Sequence, residues 1–153
     1  LTLAEHYLRR GQLDQAQARA EEARLAAETG LRDKPWQAYA VLRQIAAARG
    51  DTDQERQWRR QTQEAFVTSP ESQLVRQQWL PLIEAVAQAC RGQALDVETA
   101  EQVEKLEAQP EWREMAQAIW RLLGGERGED LYDALDHLDA VVIQAILARI
   151  HAP

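Results

Sequence analysis

The chain has one cysteine, one methionine and one phenylalanine in 153 residues, and no asparagine. A lone Cys90 excludes an internal disulfide, which points to a reducing compartment. Glycine and proline are few, at 7 and 5, and β-branched and aromatic residues are sparse, so the composition disfavours sheet and favours helix. No apolar run approaches the ~20 residues that cross a bilayer. The opening residues carry no basic, apolar and small-residue leader pattern either. These absences together predict a soluble, cytoplasmic, all-α protein that does not bind membranes.

What is abundant is charge, and it is unevenly placed. Residues 1–67 hold eleven Lys/Arg and ten Asp/Glu, net +1, whereas residues 68–153 hold seven and fifteen, net -8, giving the total of -7. An acidic second half repels phosphate, so nucleic acid is not an expected partner. Arg9, Arg10, Arg56, Arg59 and Arg60 in the first half read as a solvated helix face with i,i+4 partners.

The most organised stretch is LAEHYLRRGQLDQAQARAEEA, Leu3 to Ala23. Leu3, Ala4 and Tyr7 share one helix face, Gly11 makes a corner, and Leu13, Ala16, Ala20 and Ala23 form a stripe on a second helix. Small side chains let the helices nest closely, and Tyr7 fills the space between them. This order of residues resembles the tetratricopeptide repeat. A second copy follows. Thr29-Gly30 close the second helix, residues 31–35 form a link in which Asp33 or Lys34 precedes Pro35, and a third helix runs roughly Trp36 to Arg49 with Tyr39, Leu42, Ile45 and Ala46 inward. Gly50 then stands 39 residues after Gly11. The fourth helix, about Thr52 to Phe66, departs from the family: Glu55 falls where Ala16 stands in the first copy, so Trp58, Thr62, Ala65 and Phe66 are expected to form a rotated buried stripe.

Residues 68–153 read as further helices. Ser69 is expected to cap a helix with Pro70 first inside it, carrying Leu74, Val75, Trp79, Leu82, Ile83, Val86 and Cys90 inward, with a kink or break near Gln78 to Leu80 because of Pro81. Helices over about 95–108, with Asp96 as cap, and from Trp112 to Leu123 follow. The final stretch, 131–150, places Leu131, Leu135, Leu138, Val142, Ile146 and Ile150 on one face; Asp136 with Asp139 could restart it as a second helix. Within it AVVIQAILARI is predicted to be the most deeply buried segment. The segments WLPLIEAVAQACRG, AIWRLLGGERGED and LDAVVIQAILARI are similar to the helical tails that close tetratricopeptide arrays in large bacterial multidomain proteins. That resemblance implies a place within a longer chain.

No residue pattern points to catalysis, a cofactor or a metal. GGERGED lacks the Lys-Ser/Thr ending and the preceding strand of a phosphate loop, and its acids would repel phosphate. His6, His137 and His151 have no second ligand at metal spacing. Cys90 on an apolar stripe is expected to be a buried, inert thiol. Of the five tryptophans, Trp36 beside Pro35 is expected to be partly exposed and to mark a partner groove.

The expected architecture is therefore two tetratricopeptide-like hairpins over 1–67, stacked as a short α-solenoid, and a helical capping region over 68–153. The resemblance implies a concave face built from the first helix of each hairpin, lined by Glu5, Leu8 and Arg9 and by Trp36, Gln37, Ala40 and Gln44, and able to take a peptide or partner helix. The carboxylate-clamping branch of the family uses lysine, asparagine and arginine in this groove. With only Lys34 and Lys105 and no asparagine, this chain does not fit that mechanism. A non-catalytic interaction or scaffold module is the reading; the alternative is a regulatory or sensor segment of a larger signalling ATPase or protease, whose partners are other domains of the same chain. Because the chain opens at Leu1 in mid-pattern, further hairpins upstream are expected. Exposed apolar faces of the terminal helices would support a dimer.

Overall fold

A computed structural model of the chain describes residues 2–30 and 34–152. Among these residues there are nine α-helices and no strand, so the protein is all-α. It divides into two compact units, Leu1–Ser69 and Pro70–Pro153.

The first unit holds α1 (Thr2–Arg9), α2 (Leu13–Glu28), α3 (Pro35–Ala48) and α4 (Thr52–Val67). Each helix packs on the next, and α1 also touches α3. Ala4, Ala16 and Ala20 are wholly buried and cluster with Val41, Leu42 and Ile45, while Tyr7, Leu8 and Trp58 pack onto the cluster from outside. Three methyl side chains at the centre leave almost no thickness between α1, α2 and α3. Leu3 does not join them. It is 46% exposed, because Ala4 rather than Leu3 points at α2. The predicted link at 31–33 lies outside the described residues; Lys34, with φ of 67°, leads directly into α3.

The α1–α2 and α3–α4 corners are the same device. The Gly11 and Gly50 N–H groups donate to Leu8 and Ala47 O at 3.0 and 3.1 Å, and the next N–H, of Gln12 or Asp51, donates to Tyr7 or Ala46 O at 2.9 and 3.0 Å. This pair of bonds satisfies two terminal carbonyls but requires a left-handed residue, and both glycines have φ near 70°. A Cβ on Gly50 would meet open space, so Gly50→Ala should cost only backbone strain, about 1–2 kcal/mol in urea unfolding. A neutral result would mean that the corner relaxes to another turn.

On α4 the rotated stripe is observed in part: Thr62, Gln63 and Phe66 are buried and Trp58 and Ala65 half-buried. Trp58 stacks on Tyr39, centroids 5.7 Å apart and planes at 20°. Glu55, where close contact was not expected, instead accepts hydrogen bonds from Arg43 of α3 at 3.4 Å and from Arg59 at 2.7 Å. A charged bridge thus fills the distance that a methyl group closes between α1 and α2.

The second unit holds α5 (Glu71–Gln78), α6 (Leu80–Cys90), α7 (Val97–Glu107), α8 (Arg113–Leu123), a 3-10 turn (Glu129–Tyr132) and α9 (His137–Ile150). The break predicted by Pro81 falls at Trp79, between α5 and α6. At the start of α5, Pro70 already has helical backbone angles, φ -59° and ψ -33°, and the Ser69 hydroxyl donates to Phe66 O at 2.6 Å. Leu74 is also not inward. It is 69% exposed, because the break at Trp79 ends the helical phase that carried it onto the α6 stripe.

α9 is the spine of this unit and packs on α5, α6 and α8. Ala140, Val141, Val142, Ile143, Ala145 and Ile146 are all buried, as the apolar run predicts. The chain does restart: Asp136 caps α9 by accepting from the Asp139 N–H at 2.8 Å, separating it from the 3-10 turn that buries Leu131. Leu138, in the first turn of α9, is 39% exposed although it shares the helix with the buried Val142 and Ile146.

Candidate partner-binding face

The seven residues assigned to a partner groove lie on α1 and α3. Glu5 and Arg9 are exposed on α1, and Leu8 is half-buried against the alanine cluster. On α3, Gln37 and Ala40 are half-buried and Gln44 is exposed. Because α1 touches α3, these six positions sit on two neighbouring helices of one unit. The face they offer is polar at its exposed positions, with one acid, one base and one amide, and apolar only where Leu8 and Ala40 emerge.

Trp36 is half-buried, so it is partly exposed as expected. Its ring meets the edge of Phe66 at 4.9 Å and 83°, between α3 and α4. The indole sits in the first turn of α3, with one side packed on Phe66. The other indoles act likewise: Trp79 lies against Trp112 at 5.1 Å, and Trp120 borders the second core.

Compared with protein-family models, with curated proteins and with solved structures, the chain finds no match.

The titratable groups around this unit make a connected frame. Tyr39 donates to Glu28 at 2.8 Å, Glu28 accepts from Arg24 at 2.9 Å, and Arg24 also reaches Glu21 at 2.7 Å. The Tyr39 hydrogen bond, ahead of the Arg24 charge, holds the Glu28 carboxyl below its ordinary range. Burial first, then the Glu28 bond, raises the Tyr39 hydroxyl. Arg49 of α3 likewise meets Asp14 of α2 at 2.8 Å. The Tyr39–Glu28 and Arg49–Asp14 pairs link α2 to α3, and the Arg24 pairs lie within α2.

Among the described residues, no group of three or more His, Cys, Asp or Glu is placed to hold a metal ion. His6 and His151 are exposed and His137 is half-buried. Cys90 is half-buried at the edge of the second core, its thiol 3.5 Å from Leu122 O; burial raises its pKa while Arg127 acts in the opposite direction. Among the described residues no helix is long and apolar enough to cross a membrane.

Proposed function

We propose that this chain is a non-catalytic interaction or scaffold module, in which α1–α4 are two tetratricopeptide-like hairpins and the α1/α3 face takes a peptide or a partner helix. The observation that carries the reading is the repetition of one glycine corner 39 residues apart, at Gly11 and Gly50, with the first helices of the two hairpins in contact. Repeat arrays stack hairpin on hairpin, and the contact of α1 with α3 supports that order here. The exposed Glu5, Arg9 and Gln44 offer hydrogen bonds to a backbone or side chain, and Leu8 and Ala40 a shallow apolar floor. Trp36 is partly exposed, with one side packed on Phe66.

The test is selection of a displayed random-peptide library against the full 153-residue chain. Enriched peptides should bind with affinities that fall at least tenfold in Arg9→Glu and Gln44→Glu, and should be indifferent to Glu101→Lys on α7. Peptides that ignore both α1/α3 variants, or no enrichment at all, would sink the proposal.

A further inference from the structure

Asp139 is the one acidic residue among those buried in α9. It is 4% exposed, at the third position of α9, directly before the buried run Ala140 to Ile143. Its backbone N–H is committed to the Asp136 carboxylate at 2.8 Å, and no donor reaches its own Oδ1. The helices packed on α9 are α5, α6 and α8, and the charges that act on Asp139 are both negative: Asp136 in its own turn and Glu114 in the first turn of α8. The Arg149–Glu84 pair that links α9 to α6 lies ten residues further on, about 15 Å along the helix. The free N–H groups of the α9 terminus favour a negative charge but are partial charges, and Asp136 already engages one of them.

An ionised carboxylate in this position is largely cut off from water, has no counter-ion beside it and has no donor on Oδ1. A protonated one has no charge for Asp136 and Glu114 to repel. We propose that Asp139 is a proton-operated latch: when neutral it lets the first turn of α9 seat against α8, and when ionised it drives that turn out toward water. Burial, then Asp136, then Glu114, raise its pKa from 3.8 to about 7, which places the transition near neutrality. The native value lies above the unfolded one, so the protonated native state gains stability at low pH. That contribution is complete below about 3.8 and is lost as the pH rises through about 7.

The experiment is a carbon-13 carboxyl titration of the full chain, with Asp139→Asn to assign the signal, combined with amide exchange along α9 at pH 5.5 and 8.5, corrected for intrinsic rates. The Asp139 carboxyl should titrate near pH 7. The closing equilibrium of the first turn should fall roughly thirtyfold between the two pH values, while the last turn of α9 changes much less. Asp139→Asn should remove the fall, and Glu114→Gln, which alters only an exposed side chain, should move the titration to lower pH. Should Asp139→Asn not fold, the wild-type and Glu114→Gln titrations still decide. A carboxyl that titrates below pH 5, a titration unmoved by Glu114→Gln, or an Asp139→Asn protein that keeps the thirtyfold fall, would overturn the latch.

Discussion

Ile143→Ala should destabilise the second unit by about 2–5 kcal/mol, whereas Leu74→Ala in the same unit should change its stability by no more than about 0.5 kcal/mol. Both leucine and isoleucine fall on apolar stripes, but their surroundings are opposite. Ile143 is wholly buried at the middle of α9, inside a core that also takes side chains from α6, α7 and α8. Removing three carbons there leaves a cavity that neighbours on other helices cannot collapse to fill. Leu74 is 69% exposed on α5 and loses little contact when truncated. Urea unfolding, read by amide exchange in α9, measures both. Equal losses from the two variants would mean that α5 turns its other face to the core.

Ala20→Leu should cost the first unit about 1–3 kcal/mol, or abolish its cooperative unfolding. Ala20 is wholly buried beside Ala4 and Ala16 and beside Val41, Leu42 and Ile45, so three added carbons have no space unless α2 moves away from its neighbours. Ala18→Leu is the control. It is one turn-step away on the exposed side of α2, and leucine is nearly as good a helix former as alanine. If Ala20→Leu is as harmless as Ala18→Leu, close nesting of small residues is not what holds α1, α2 and α3 together. The reading of the first unit as repeated hairpins would then lose its physical basis.

Much of this fold was legible because helix signals are local. The glycine corners at Gly11 and Gly50, the Asp96 cap and the interruption at Pro81 each act within a few residues and appear where the chain predicts them, and the structure decides for the Asp136 restart that the sequence left open. Side-chain direction near element ends was less legible. Leu3, Leu74 and Leu138 are apolar at helical spacing yet substantially exposed: α5, which carries Leu74, ends before the α6 stripe begins, and Leu3 and Leu138 stand in the first turns of α1 and α9. The groove residues were assigned from an implied stacking of helices. Their positions on α1 and α3 follow from sequence, but the orientation of Trp36 toward Phe66 required α4 to be in place.

Composition and periodicity alone determined that the chain is helical, where most helices start and stop, and that the first part of AVVIQAILARI, up to Ile146, is largely buried. These properties depend on hydrogen bonds and apolar spacing between residues close in the chain. Only the tertiary structure decided that Glu55 bridges Arg43 and Arg59, that Trp36 packs on Phe66, and that Asp139 is enclosed beside Glu114. Each of those depends on which side chain a separate helix brings within a few ångströms, and local spacing carries no information about that.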